Sequence, residues 1–240
     1  MILALKYSAK VFKIKSVMNN FGHIKAILFD VGQTFLYPDF PFLKSLLAEY
    51  GVATDIETLN QGAATAREKI FRYREVERWQ EFFSFWMQFV GAPEQKIPEI
   101  LPRIFERHKR EHLWNWLDPI APEVFAGLKK LGYPLGIISN SDGSIAGSMK
   151  KFGLTHFFDC IIDSRVVGVE KPNSRIFEIA LKQIGLPAAK CVYIGDNYDR
   201  DVIGARNAGL TPILLDPFEV VAEQDVQKIK NLTELPKLFM

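Results

Sequence analysis

From residue 119 onward the chain repeats one pattern: a short, almost wholly apolar run, then an amphipathic stretch of helix length closed by a glycine. The runs cover residues 135–138, 158–162, 192–194 and 212–215. Between them, helices are expected at about 123–131, 144–152, 174–184 and 199–208, ending at Gly132, Gly153, Gly185 and Gly209. Glycine there suits the left-handed residue that closes a helix. A run that is apolar at every position is buried on both faces, and strands of that kind alternating with helices build a parallel sheet between helix layers. An earlier run, Ile24 to Phe29 (IKAILF), stops abruptly at Asp30-Val-Gly32. It reads as the first strand, with a carboxylate at its C-terminal end and a turn for which Gly32 would supply a positive φ.

A different periodicity separates this first strand from the rest. Leu43, Leu46, Leu47 and Tyr50 recur at helical spacing, and so do Trp79, Phe82, Phe83, Trp86, Phe89 and Val90. The block is predicted to be wholly α-helical until the passage Asp118-Pro-Ile-Ala-Pro122 closes it. The expected fold is therefore α/β, a Rossmann-like open parallel sheet carrying an inserted α-helical cap. Its parts are an N-terminal extension at 1–20, a core formed by 21–39 and 119–240, and the cap at 40–118. The loop after Thr34 and the passage from Pro119 to Pro122 would serve as hinges of a lid.

Ligands of such sheets bind at the carboxyl ends of the strands. Three strand ends carry polar residues: Asp30, the pair Ser139-Asn140, and the pair Gly195-Asp196; Lys171 stands in a loop of the same half, within Glu-Lys-Pro. Each alone is ordinary turn chemistry. Two aspartates, a lysine and a serine at equivalent strand ends are a selective combination.

In these motifs the chain resembles the haloacid dehalogenase-like hydrolases, over residues 24 to 216. The first motif of that family matches ILFDVGQTF, the second IISN, the third the lysine of VEKPN and the fourth GDNYDRDVIGARNAG. A helical insertion between the first two resembles the cap of its subfamily I. The resemblance implies that Asp30 is a nucleophile forming an aspartyl-phosphate and that Lys171 is set against the phosphate. Thr34, Ser139 and Asn140 would bind the phosphoryl group. It also implies Mg²⁺ held by Asp30, the Gly32 carbonyl and Asp196, with Asp201 orienting a ligand or a metal-bound water. The chemistry is coherent: phosphoryl transfer needs an in-line nucleophile and cations around the equatorial oxygens, and magnesium prefers oxygen ligands.

One residue departs from the family pattern. Phosphatases of this kind usually carry a second aspartate two residues after the nucleophile, as general acid and base, where this chain has Gly32. General acid–base help is worth about 10² to 10⁴ in rate. Three readings follow: a slow or leaving-group-restricted Mg²⁺ phosphatase of a small phosphorylated metabolite, a C–X or C–P bond hydrolase with the same nucleophile, and a catalytically weak protein that binds a phosphorylated ligand or a partner. The nucleophile and metal residues together favour the first.

Other features read as structural. The Trp79 to Phe89 stripe is expected to be cap core, and Arg67, Lys69, Arg72, Arg74 and Arg78, alternating with glutamates, a solvated helix face. His23, His108, His112 and His156 show no ligand spacing, Asp39 and Asp199 read as solvated loop acids, and Cys160 and Cys191 as core thiols. The net charge of +2 is local: without the four lysines of residues 1–20, 26 basic residues face 28 acidic ones. No nucleic-acid partner is therefore expected. No apolar run reaches the roughly 20 residues of a membrane span, and with no secretory pattern at the start the expectation is a cytoplasmic enzyme.

Overall fold

The structure is a computed structural model, and it describes residues 21–72 and 78–240. The proposed extension at 1–20, and Arg74 with its neighbours, lie outside the described residues.

Six parallel strands form the main sheet: β1 (Ala26–Phe29), β4 (Leu135–Ser139), β5 (Cys160–Asp163), β6 (Cys191–Gly195), β7 (Thr211–Leu215) and β8 (Gln227–Ile229). Their order is β5-β4-β1-β6-β7-β8. β1 lies at the centre, with Phe29 in register with Ile137 on one side and Ile194 on the other. All of its residues are buried, as an apolar run with neighbours on both edges requires. The edge strand β8 was not predicted, because Gln-Lys-Ile is too short and polar to register as an apolar run.

Each face of the sheet has its own core. Phe29, Phe35 and Phe125 meet edge to face on one side, with Phe35 and Phe125 centroids 5.1 Å apart, and Phe177 packs edge-on against Tyr193 on the other at 5.0 Å. Burying such rings contributes roughly 1.5–3 kcal/mol each. Cys160 and Cys191 are free and buried, and burial pushes both thiols up to about 11, which leaves them unreactive. The four predicted stops hold: Gly132, Gly153, Gly185 and Gly209 all have φ between +70° and +87°. In place of a regular helix at 199–208, a wide π-helical turn at Tyr198–Ile203 runs into a short helix, Gly204–Asn207.

The cap consists of α1 (Phe40–Glu49), α2 (Ile56–Phe71), α3 (Trp79–Phe89) and α4 (Ile97–Arg110). Its centre is Trp86, fully buried, whose indole N–H donates to the Leu59 carbonyl at 2.8 Å. α2 and α3 approach closely because Gly62 has no side chain; a Cβ there would stand 2.7 Å from the Trp86 ring. Asp39 is no solvated loop acid: it caps α1 through the Phe42 N–H and pairs with Arg107 at 2.6 Å.

The expectation that 40–118 is helical throughout fails at its end. β3 (Trp114–Leu117) pairs antiparallel with β2 (Leu36–Pro38), and Tyr37 faces Trp116 with centroids 5.9 Å apart. The Trp-Asn-Trp-Leu run favours a ribbon, where aromatic cross-strand pairs stabilise by a few tenths to about 1 kcal/mol each. The two connections between core and cap are thus hydrogen-bonded to each other instead of forming two independent loops.

Candidate active site

Asp30 leaves β1 with its backbone N–H donating to the Ile194 carbonyl at 2.8 Å, which fixes the carboxylate against the end of β6. Lys171 meets it from the far side of the sheet end. Its ammonium donates to Asp30 Oδ1 at 2.6 Å, to Asp201 Oδ1 at 2.7 Å and to the Tyr193 hydroxyl at 2.8 Å, so all three of its protons are used. Tyr193 in turn donates to the Ile138 carbonyl at 2.7 Å. The Asn140 side chain holds the lysine's loop, accepting from Lys171 N at 2.8 Å and donating to Lys171 O at 3.0 Å.

Asp196 follows β6, and the π-helical turn after it returns Asp201 to the same place. Asp201 Oδ2 accepts from the Asn197 N–H at 2.8 Å. The glycine of the Gly195-Asp196 pair is required by this return, since a Cβ at 195 would fall 2.4 Å from the Asp201 carboxyl carbon. Ligand oxygens of Asp30, Asp196 and Asp201 lie within 4.8 Å of one another, and all three residues are buried. Burial pushes Asp30 above the usual carboxylate range even though Lys171 opposes it. Burial works against the Lys171 charge too, but Asp201 and Asp30 outweigh it and raise its pKa above the ordinary lysine value. Burial, reinforced by both aspartates, holds Tyr193 well above its ordinary value, so it remains a neutral phenol. A donor set made only of carboxylate oxygens, crowded and buried, fits a hard divalent cation such as Mg²⁺.

These residues form the floor of a cavity of about 680 Å³ between core and cap. The cap contributes Phe71, Trp79, Phe83, Phe105 and Trp114 to its lining, together with Arg67, His108 and His112.

Residues 24–209 match the sequence model of the haloacid dehalogenase-like hydrolases. The chain belongs to that family. Among its relatives, the glyceraldehyde 3-phosphate phosphatase of Methanopyrus kandleri is 30% identical over 79% of this chain and 83% of that protein. The glyceraldehyde 3-phosphate phosphatase of Methanothermobacter thermautotrophicus is 40% identical, over 45% of this chain and 48% of its own length. Among solved structures, a HAD phosphatase from Thermococcus onnurineus superposes with a TM-score of 0.58 at 22% identity, covering 90% of this chain and 97% of the other. A magnesium-bound HAD hydrolase of Bacillus subtilis gives 0.60 at 22% identity over 90% and 98%. At that identity the two structures speak for the fold.

Within this hydrolase, Asp30, Lys171, Asp196 and Asp201 come together, and Ser139, buried at the end of β4, and Asn140 line the same cavity. Thr34 does not reach the cavity wall; it is fully buried behind the loop and its hydroxyl has no hydrogen-bond partner. Gly32 does line the cavity, but its φ is not positive; the left-handed residue of the turn is Gln33, at φ +56°. A Cβ on Gly32 would meet nothing closer than Trp114 Nε1 at 3.5 Å.

Several site residues were not anticipated. Arg67, expected on a solvated face, is buried; it donates to the Asp196 carboxylate and, at 3.4 Å, to Gln33 Oε1, reaching from the cap to the core. Burial lowers its pKa, with Glu68 and Asp201 opposing. Arg72 also bridges to the core, pairing with Glu223 and lying 3.3 Å from Asp199, which is therefore no free loop acid either. The histidines need a further correction. The His108 and His112 rings are 4.7 Å apart, and His112 Nε2 lies 3.7 Å from Asp142 Oδ2, so the three could share an ion. The four-residue spacing of His108 and His112 at the end of α4 is the signal that would have pointed to this.

Proposed function

We propose that this hydrolase is a Mg²⁺-dependent phosphatase of small phosphorylated compounds, acting through an aspartyl-phosphate on Asp30. One observation carries the reading: three buried carboxylates and a lysine with all its protons engaged converge at the ends of β1 and β6. A binding module has no need of that arrangement. The names of the phosphatase relatives support the same class of reaction.

Asp30 presents a carboxylate oxygen to phosphorus, and Lys171 orients that carboxylate while adding positive charge beside the phosphoryl oxygens. Mg²⁺ held by Asp30, Asp196 and the Gly32 carbonyl would cancel the repulsion between carboxylate and phosphate dianion. Ser139 and the Asn140 backbone N–H would donate hydrogen bonds to the phosphoryl group. Asp201 and Tyr193 position Lys171, and the cap excludes bulk water from the intermediate.

The test is a panel of phosphomonoesters and haloacids assayed with Mg²⁺ and with EDTA. Phosphate release that EDTA abolishes and Mg²⁺ restores is expected. Halide release indifferent to EDTA would instead establish the C–X hydrolase. Calorimetry on Asp196→Ala checks the metal site without turnover: Mg²⁺ affinity should fall at least tenfold, and unchanged affinity would place the metal elsewhere.

A further inference from the structure

We propose that the alcohol part of the substrate is an aryl group, so that the favoured substrates are aryl phosphate monoesters; this rests on the phosphatase reading above. Two independent observations lead to the same class.

The first is the cavity wall. Trp79 and Trp114 meet edge to face at 5.3 Å, and Phe83 and Phe105 do so at 5.6 Å, so α3, α4 and β3 bring a cluster of aromatic rings to the cavity that Asp30 also lines. Trp79, Phe105 and Trp114 are only half-buried and all three line the cavity, with Trp79 also bordering an outer groove beside Ile70 and Phe85. A flat ring placed there gains edge or face contacts worth about 0.5–1.5 kcal/mol per pair. A polyhydroxylated alcohol would lose hydrogen bonds to water against the same surface.

The second is Gly32. At position 32, two residues after Asp30, this chain has no side-chain atom, and apart from its chain neighbours the group nearest to where a Cβ would stand is Trp114 Nε1, at 3.5 Å, with the His108 and His112 rings beyond that indole at 6.5 and 6.1 Å from it. An indole N–H can donate a hydrogen bond to a departing oxygen but cannot give up its proton. Such a site suits an alcohol able to leave as an anion. A phenol with a pKa of about 10 can do so, as tyrosine illustrates, whereas an alkyl alcohol needs the acid.

In the reaction an Asp30 oxygen forms a bond to phosphorus as the bond from phosphorus to the aryl oxygen breaks. The electron pair departs on that oxygen as phenolate, which solvent protonates. A water oxygen then forms a bond to phosphorus as the bond from phosphorus to the Asp30 oxygen breaks, regenerating the carboxylate, and the water's protons leave on the inorganic phosphate or to solvent. Trp114 belongs both to the wall and to the surroundings of Gly32, so ring recognition and departure of the oxygen occur at one place.

The experiment compares phenyl, 2-naphthyl and cyclohexylmethyl phosphates and glycerol phosphate with the Mg²⁺-loaded enzyme, and measures binding of phenylphosphonate and ethylphosphonate by calorimetry. The aryl esters should exceed the alkyl esters by about 10² or more in kcat/KM, the range of the missing acid. Phenylphosphonate should bind about tenfold more tightly than ethylphosphonate. In Trp79→Leu and Phe105→Leu that binding preference should shrink severalfold, with the milder substitution chosen so that the cap keeps its fold. Equal kcat/KM for cyclohexylmethyl and phenyl esters, or a phosphonate preference unchanged in both folded variants, would overturn the proposal. If no ester of any kind is hydrolysed, the phosphatase reading fails, while the phosphonate comparison still tests the aryl preference of the wall.

Discussion

The two walls of the cavity are built on opposite terms. On the core side the charged groups at the ends of β1 and β6 are buried and held by specific partners: Lys171 by three acceptors, Asp201 by Lys171 and a backbone N–H, Asp30 by Lys171 and the strand beside it. On the cap side the surface is largely aromatic, with Arg67, His108 and His112 among the rings, and it is carried by helices that join the core through a short ribbon. The core wall is fixed because a displaced buried charge costs several kcal/mol. The cap wall can vary, because rings exchange packing partners at a cost of about a kilocalorie. Under the proposed function, chemistry belongs to the strand ends and selectivity to the insertion.

The contrast can be broken most severely at Asp30. Asp30→Asn is nearly isosteric but cannot form the covalent intermediate, and turnover should fall by roughly 10⁴ or more while the far-ultraviolet spectrum and melting temperature stay close to wild type. A folded variant keeping most of its activity would remove Asp30 from the nucleophile's role.

Gly32→Asp adds a carboxylate to the core wall two residues after Asp30. The backbone there is not left-handed and a Cβ fits beside Trp114, so steady turnover of alkyl phosphates should rise by about 10². Wild type, in the same terms, should release a burst of phenol from an aryl ester before a slower steady phase, because no side chain at 32 activates the hydrolytic water. A linear time course together with a variant no faster on any ester would show that the absent acid does not limit the rate.

Two smaller changes test the cap alone. Gly62→Ala pushes a methyl into Trp86 and Phe89 and should destabilise by about 1–3 kcal/mol. Thermal unfolding would read this, ideally with amide exchange accelerating in 56–71 and 79–89 before it does in the sheet. The smallest effect concerns pH. Burial, helped by His112 and opposed by Asp142, lowers the His108 pKa below its ordinary 6.5. The unfolded chain therefore takes up this proton first as pH falls, and the stability His108 contributes is present above about 6.5 and lost between that value and its folded pKa. His108→Gln should flatten the fall in melting temperature from pH 7.5 to 5.5; an identical slope would show that this ring does not report on cap stability.

The core was legible for a physical reason. A strand buried on both faces has to be apolar at every position, and residues 26–29 and 191–195 meet that condition in the bare sequence. Closing glycines and polar strand ends then pointed to Asp30 and Asp196, while Lys171 stood out in a loop of the same half, within Glu-Lys-Pro. Arg67 was hidden because its charge matches the glutamates around it. The signal that would have found it is the row Leu59, Ala63, Arg67, Phe71, spaced by four along the buried face of α2. Tyr193 was unreadable as a site residue because a tyrosine in an apolar strand looks like core, and only the fold brings its hydroxyl to Lys171. The ribbon escaped because Trp114 and Trp116 suit helix and strand alike until Tyr37 lies across from them.

That ribbon also bears on how the chain assembles. The central strand is made early, yet Ile27 must wait for Leu135 and then Val192 before either edge is paired. Once Leu36 has met Leu117, the four helices between them become a closed side branch, and the length separating β1 from β4 is effectively shortened. Loop-closure entropy rises with the logarithm of length, about 0.6 kcal/mol per doubling, so an early ribbon lowers the entropic barrier to the long-range pairing that most slows folding of a parallel sheet. A nascent chain stopped short of β6 would hold a finished cap above an Asp30 whose supporting strand does not yet exist.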